Sequence, residues 1–160
     1  MTVIIGPGST IDVLDLADPR RSRQRLGSFV ANLHDRPAMT EYVGEQRRLE
    51  LELSPLTAHR LLDIPMHELT GRVVDLGDVL ARVDRSPPQR LQGVPDWEAR
   101  FALLDSFIAA VLAESRDPSP ELTRAVSRLR RSGGATPIAA LATEAGWSQR
   151  RLVAAFRDDA

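Results

Sequence analysis

The sequence predicts an α+β protein, with an N-terminal half of short antiparallel β-strands followed by an all-helical C-terminal segment. Residues 1–53 contain short runs of β-branched and apolar side chains separated by turn residues, and residues 48–53 alternate polar and apolar as a half-buried strand does. From residue 54 onward the apolar residues recur at helical spacing, and a Ser or Asp precedes several of these runs. At 160 residues and 42% hydrophobic content, the chain can form one domain or two small ones with a sizeable core.

The N-terminal strands are predicted from the apolar runs and the turns between them. Gly and Pro within residues 6–9 mark the first turn. A glycine-rich turn binds phosphate when a helix follows it, but a second strand follows here, so no phosphate loop is predicted. Another turn is predicted around Gly44, within residues 41–45. The predicted strands are residues 3–5, 11–16, 26–33 and 48–53.

Five helices are predicted between residues 54 and 131, and helix-capping residues mark the start of three of them. Ser54 and Ser119 each precede a Pro, which fits the first turn of a helix because an N–H there has no intrahelical partner. Asp96 can cap the longest helix. The proline-rich residues 117–120 mark the best boundary within the chain. The predicted helices are residues 54–62, 65–70, 75–85, 96–114 and 119–131.

The longest predicted helix carries an apolar stripe at 3.6-residue spacing. Two interpretations fit this stripe. It can face the core of its own subunit, or it can pair with its copy in a second subunit, and the spacing is the same in both cases. The stripe consists of Trp97, Phe101, Leu104, Ile108 and Val111.

Residues 137–157 have the pattern of a helix-turn-helix. Thr136 is predicted to cap the first helix, with Pro137 in its first turn. Gly146 can adopt the positive φ angle that a sharp turn requires. Ser148 is predicted to cap the second helix.

Each helix of this pattern has an apolar face. Ile138, Leu141 and Ala142 share one face of the first helix, and Leu152 and Phe156 of the second helix are predicted to pack on Leu141. This arrangement fits a DNA-binding unit, and it also fits an ordinary helical hairpin with an exposed polar face. The outer face of the second helix is predicted to carry Gln149, Arg150, Val153, Ala154 and Arg157.

The segment from residue 138 to residue 157 resembles the first helix-turn-helix of AraC-type (AraC/XylS) transcriptional regulators. The matching residues are Ile138, Leu141, Ala142, Gly146, Ser148, Leu152, Phe156 and Arg157. Upstream stretches resemble the sensor half of one subgroup of these regulators, at residues 28–37, 53–55, 61–62, 64–65, 68–69 and 73–76. The helix that links the two halves of such proteins is matched at Trp97, Arg100, Phe101 and Leu104.

The resemblance implies three parts of the chain. Residues 1–88 would form a sensor-like half with partial cupin-like β-structure, residues 89–117 a linker or dimerisation helix, and residues 118–160 a partial helix-turn-helix DNA-binding domain. It also implies double-stranded DNA as a partner, a homodimer, and a small-molecule effector of unknown identity. The second helix, residues 148–157, is expected to dock in the major groove.

The side chains of the second helix predict which residues contact DNA. Gln149 and Arg150 lie at its N-terminal end, nearest the bases, where Arg can bind guanine and Gln can bind adenine bidentately. Arg151 and Arg157 are expected to contact phosphates, as are four arginines of the preceding helix, Arg124, Arg128, Arg130 and Arg131. The predicted DNA-binding residues are Thr136, Ser148, Gln149, Arg150, Arg151, Val153, Ala154 and Arg157.

A truncated sensor or dimerisation protein without autonomous DNA binding is the alternative prediction. AraC-type regulators usually carry two helix-turn-helix units, whereas this chain ends at Ala160, after the first. Ala154 occupies a position where the family usually has Arg, and Asp158 and Asp159 place negative charge beside the groove helix. Fewer phosphate contacts would lower the affinity for DNA.

The charge of the chain is unevenly distributed. Residues 1–118 contain 14 Arg and 18 acidic residues, a net charge of −4, whereas residues 119–160 contain 7 Arg and 4 acidic residues, a net charge of +3. This basic excess at the C-terminal end fits phosphate attraction, although chance over a short segment also explains it. All 21 basic residues are Arg, which indicates the coding bias of a GC-rich, bacterial genome.

Missing residue types and patterns argue against several classes of protein. Without Cys there are no disulfides, thiolate zinc sites or cysteine nucleophiles. The sequence has neither an apolar run of membrane-spanning length nor a secretory signal, so a cytoplasmic protein is expected. His34, His59 and His67 lack the spacing of a cupin metal site, and the cluster at residues 34–36 is interpreted as a hydrogen-bonded strand end. Neither an enzyme nor a cofactor is therefore expected.

Overall fold

The computed structural model describes residues 1–6, 8–14, 23–31, 39–81, 91 and 93–160, and it confirms the α+β class. These residues form seven strands and seven helices. The strands are β1 (Thr2–Ile5), β2 (Ile11–Leu14), β3 (Gln24–Leu26), β4 (Phe29–Ala31), β5 (Met39–Glu41), β6 (Leu49–Glu52) and β7 (Val73–Asp75). The helices are α1 (Pro55–Leu62), α2 (Met66–Leu69), α3 (Leu76–Ala81), α4 (Trp97–Glu114), α5 (Pro120–Arg131), α6 (Ile138–Ala145) and α7 (Gln149–Asp159).

The strands form two antiparallel sheets, one with the order β6-β1-β4-β7 and one with the order β3-β2-β5. Because side chains alternate across a strand, the larger sheet has two apolar faces. Val3 and its cross-strand partner Val30 face the helices, whereas Ile4 and its partner Phe29 face the smaller sheet. The N-terminal half therefore has three layers: the smaller sheet, the larger sheet and the helices.

The prediction of one strand over residues 26–33 is wrong. The chain bends at Gly27, so that β3 lies in the smaller sheet and β4 in the larger one. The backbones pack closely at this bend, since a Cβ at Gly6 would lie 2.5 Å from the carbonyl oxygen of Gly27. The Gly6 N–H donates to Ser28 Oγ at 3.1 Å, which fixes the crossing between the two layers.

Some sequence predictions extend beyond the described residues. These include the ends of the strands predicted at 11–16 and 26–33, the cluster at residues 34–36, and the end of the helix predicted at 75–85. Within the described part, that helix starts at Leu76, because Asp75 is the last residue of β7. Gly44 adopts a φ of 81° in the predicted turn, and Glu41 belongs to β5.

The predicted starts of the main helices are confirmed by hydrogen bonds. Ser54 Oγ accepts from the Thr57 N–H at 3.2 Å at the start of α1. Asp96 Oδ1 accepts from the Ala99 N–H at 2.8 Å at the start of α4. The corresponding bond at the start of α5 joins Ser119 Oγ to the Leu122 N–H at 3.2 Å. These local bonds satisfy N–H groups that have no intrahelical partner.

The stripe predicted on α4 is buried only along its C-terminal part. Leu104 and Val111 are buried in the main core, and Ile108 packs against it. Trp97 is 37% exposed and Phe101 is 53% exposed, so the first two turns of α4 present aromatic rings to solvent. Among the described residues, no helix is long and apolar enough to span a membrane.

Candidate nucleic-acid interface

The last three helices, α5, α6 and α7, form a compact unit with its own core, which we call the C-terminal module (residues 120–160). Leu141 of α6 and Leu152 of α7 are 2% and 1% exposed, and Phe156 packs against them as predicted. Ala142 is buried beside them, where a small side chain allows the helices to approach closely. The core of this module also contains Ala125 and part of Leu129 from α5.

The turn between α6 and α7 has the predicted glycine conformation. Gly146 adopts a φ of 67° and a ψ of 26°, which is the left-handed conformation of a helix C-cap. Its N–H donates to Thr143 O at 3.1 Å, and the Trp147 N–H donates to Ala142 O at 2.9 Å. Ser148 caps α7 as predicted, because its Oγ accepts from the Arg151 N–H at 3.2 Å.

The prediction that Thr136 caps α6 is wrong. Helix α6 begins at Ile138, and its N-cap is Pro137, whose carbonyl oxygen accepts from the Leu141 N–H at 3.2 Å. The N–H of Thr136 instead donates to Ser132 Oγ at 3.2 Å, so Thr136 belongs to the turn that follows α5. Ile138 is 51% exposed, so it does not share the burial of Leu141, which was expected on the same face.

The outer face of α7 is exposed as the sequence predicted. Next to the buried Leu152 along the helix, Val153 is 50% exposed, and the polar and small residues of the outer face are also exposed. In the described part of the chain, the Arg150 guanidinium forms no ion pair, so its donors are free to bind a ligand. The exposed residues of this face are Gln149, Arg150, Val153, Ala154 and Arg157.

Arg151 is held beside the turn by an aromatic ring. Its guanidinium carbon lies 4.4 Å from the centroid of the Trp147 ring, a cation–π distance. The side chain remains exposed, so this contact orients the guanidinium at the N-terminal end of α7 without burying its donors. The sequence predicts a phosphate contact for Arg151. It does not indicate that the Arg151 guanidinium lies over the Trp147 ring.

The arginines of α5 differ in how they are paired. Arg124 Nη2 lies 3.2 Å from Glu121 Oε1, and Arg128 Nε lies 3.8 Å from Glu144 Oε1. Arg130 and Arg131 are exposed, and no ion pair involves them within the described residues. Exposed ion pairs contribute about 0–1 kcal/mol, so a phosphate can replace the Glu partners at small cost.

The C-terminal end of α7 packs against α1 and α2 of the N-terminal half. Asp158 Oδ1 lies 3.3 Å from His67 Nδ1, and Asp159 Oδ1 lies 3.6 Å from His59 Nε2. Nothing in the sequence pairs these four residues. No local pattern could have done so, because the partners are about 90 to 100 residues apart along the chain.

An apolar cavity lies between the larger sheet and the helices. Its walls include Val3, Leu51, Leu80 and Phe107, and its volume is about 20 Å³. This space holds roughly one water molecule, whereas small-molecule sites occupy about 300–1,000 Å³. The cavity therefore has no room for the effector that the sequence resemblance implied.

Comparisons of the chain with family models, with curated proteins and with solved structures found no match. Within the described ranges, no three His, Asp or Glu side chains come together in an arrangement that could hold a metal ion. The exposed face of α7 and the charged side chains around it form the candidate site.

Proposed function

We propose that this chain is a sequence-specific DNA-binding transcriptional regulator of the AraC type, in which α7 docks in the major groove. The single observation that carries the proposal is the division of α7 into two faces. Leu152 is 1% exposed and anchors the helix in the module, while Arg150 and Val153 lie on an outer face that is accessible to a ligand. A recognition helix requires this combination of rigid support and exposed polar side chains.

The N-terminal end of α7 carries the base-reading residues in this proposal. Arg150 donates to the O6 and N7 atoms of a guanine, and Gln149 pairs with an adenine. Val153 and Ala154 lie one turn further along, where they contact thymine methyl groups. A bacterial regulator of this kind acts in the cytoplasm, where its DNA is located.

Arginines around α7 carry the phosphate contacts. Arg151 lies at the N-terminal end of the helix over Trp147, and Arg157 lies near the other end. Arg130 and Arg131 at the end of α5 add two exposed cations. Each phosphate contact releases counterions, so the affinity is expected to fall steeply as the salt concentration rises.

Selection of duplexes from a randomised pool, followed by fluorescence titration, tests the proposal. The Arg150→Ala variant should lose discrimination at one base pair by about 5- to 150-fold, while Arg131→Ala should weaken binding to all duplexes and reduce the salt slope by about one. Arg116→Ala, an exposed change outside the module, is the matched control. An unchanged base preference for Arg150→Ala, or no enrichment of any sequence, contradicts the proposal.

Exposed aromatic rings on α4 favour a second function, self-association. The Trp97 and Phe101 rings lie 6.3 Å apart, and the Arg100 guanidinium lies 4.9 Å from the centre of the Trp97 ring. Large exposed apolar side chains of this kind are enriched at protein interfaces. We propose that they pack against a second copy of the chain, which would supply a second recognition helix.

Sedimentation velocity tests the self-association. Phe101→Ser should shift a dimer toward monomer, whereas Ala109→Ser, a polar change on an exposed part of the same helix, should have a smaller effect. A monomer at all concentrations contradicts this second function. A dimer that enriches no DNA sequence would instead support the alternative of an interaction protein without autonomous DNA binding.

A further inference from the structure

The contact between α7 and the N-terminal half includes two histidine–aspartate pairs. His59 of α1 donates from Nδ1 to the carbonyl oxygen of Ile64 at 3.0 Å, which turns its Nε2 toward Asp159, 3.6 Å away. His67 of α2 lies with Nδ1 3.3 Å from Asp158 Oδ1 and 3.3 Å from the carbonyl oxygen of Arg157. The two pairs connect two separate helices to the last turn of α7.

The four side chains of these pairs are partly exposed to solvent. The side chains of His59 and Asp159 are 29% and 39% exposed, and those of His67 and Asp158 are 36% and 54% exposed. Polar side-chain contacts with this exposure contribute little each, and interfaces of this character between parts of a chain commonly open and close. A polar, partly exposed contact of this kind is the type that opens and closes reversibly between parts of a chain.

The module has a small hydrophobic core of its own. Its helices share a core around Leu141 and Leu152 that does not include α1 or α2. The segment that connects the module to α4, residues 116–119, is neither helix nor strand; its Asp117 side chain is 84% exposed and pairs with Arg60 at 3.0 Å, at the α4 end of the segment. Hinges are formed by short segments of this kind at the ends of rigid elements.

One end of this segment is held in place. Arg60 Nε donates to Ser115 Oγ at 3.0 Å, and Arg60 Nη2 donates to Leu112 O at 2.8 Å, so the end of α4 is fixed to α1. Rotation of the module about residues 116–119 would separate the histidine–aspartate pairs while this anchor remains in place. The chain thus combines a fixed pivot with a weak contact at the far end of the module.

We propose that His59, His67, Asp158 and Asp159 form an intramolecular latch that reversibly holds the C-terminal module against α1 and α2. In the closed state the outer face of α7 points away from the N-terminal half, as its exposure requires. Opening of the latch moves the module as a rigid body about residues 116–119. Where the proposed DNA binding holds, the latch sets the orientation in which α7 meets the groove.

Distance measurements between spin labels test the latch without DNA. The chain has no Cys, so Glu52→Cys on β6 and Ala139→Cys on α6, both exposed, give one label in each half. The labelled protein without further substitutions, which is the parent in this comparison, should give one narrow distance distribution. In the His59→Ala/His67→Ala variant the distribution should broaden toward other distances, and the ratio of closed to open molecules should fall by about fivefold.

Two further variants distinguish the latch from general destabilisation. Asp158→Asn/Asp159→Asn should reproduce the broadening from the other side of the contact, and circular dichroism should show that both variants retain their helices. Asp105→Asn/Glu114→Gln, on exposed positions of α4, is the matched control and should leave the distribution unchanged.

Two results would overturn the latch: a broad distribution in the parent protein, or a distribution in both latch variants that is the same as in the parent. Neither result depends on DNA. A failure of the proposed DNA binding is therefore recognised separately, in the titrations.

Discussion

Arg60 of α1 donates from Nη2 to the main-chain carbonyl oxygen of Leu112, 2.8 Å away in the last turn of α4. The same nitrogen lies 3.0 Å from the carboxylate of Asp117, and Nε donates to Ser115 Oγ at 3.0 Å. One side chain therefore joins the N-terminal half to the end of α4 and to the segment that follows it. A cation at this position also interacts favourably with the negative end of the α4 dipole.

Replacement of Arg60 should destabilise the protein measurably. Arg60→Ala removes the donors to Leu112 O and Ser115 Oγ and should lower the free energy of unfolding by about 1–3 kcal/mol, since the side chain is only 24% exposed. Urea unfolding followed by circular dichroism measures the change. Arg116→Ala, an exposed arginine in the same region without an ion pair among the described residues, should change it by less than about 0.5 kcal/mol. Equal effects of the two substitutions would contradict the assignment of Arg60.

Adjacent residues of α7 should respond very differently to truncation. Leu152→Ala leaves a cavity in the core of the module and should cost about 2–5 kcal/mol, whereas Val153→Ala should cost about 0.5 kcal/mol or less because Val153 is 50% exposed. Thermal or urea unfolding of the two variants provides the comparison. A similar loss of stability in both would mean that α7 does not present Val153 outward.

Any side chain at position 146 should destabilise the turn between α6 and α7. Gly146→Ala forces a residue with a Cβ to adopt a φ of 67°, and the unfolding free energy should fall by about 1–2 kcal/mol. Gly93→Ala is the control, because a Cβ at either position meets no heavy atom within 4 Å among the described residues and only Gly146 has the positive φ angle. A neutral Gly146→Ala variant would indicate a different turn.

The ionisation of Asp12 should make the stability of the fold depend on pH in the acidic range. A hydrogen bond from the Arg25 side chain, strengthened by the positive charge of Arg23, holds the pKa of Asp12 below its usual value. Arg25 is the cross-strand partner of Asp12, with Nε 3.1 Å from its carboxylate. Because the folded-state pKa is lower than the unfolded one, the ionised carboxylate stabilises the fold above the ordinary Asp pKa of about 3.9, and this contribution is lost as the pH falls through the folded value.

The pH dependence of the Asp12→Asn variant measures this contribution. The variant should be less stable than the parent near pH 7, and the difference should shrink as the pH is lowered below about 4. Glu50→Gln, on the exposed face of β6, is the control and should show no comparable change. A constant difference between parent and Asp12→Asn from pH 7 to pH 3 would show that the Arg25 bond does not depend on the charge of Asp12.

Local chemistry in the sequence determined where the main helices begin and how α6 turns into α7. Ser54, Asp96 and Ser119 were recognised as caps because a side-chain oxygen can reach an N–H only two or three residues away. Gly146 was recognised because few other residues adopt its φ angle. The outer face of α7 followed from helical periodicity, so the exposed part of the candidate site was predictable. Its role in DNA binding stays a proposal.

The tertiary structure decided what no local pattern encodes. The three-residue strands β5 and β7 are too short for a periodic signal, and the change of sheet at Gly27 depends on the backbone of Gly6. Phe101 and Leu104 belong to the same apolar stripe of α4, but Leu104 is buried and Phe101 is exposed. The difference depends on where the core ends, which the stripe itself does not encode. The pairing of His67 with Asp158 joins residues about 90 positions apart along the chain, and only the packing of α7 on α2 brings them together.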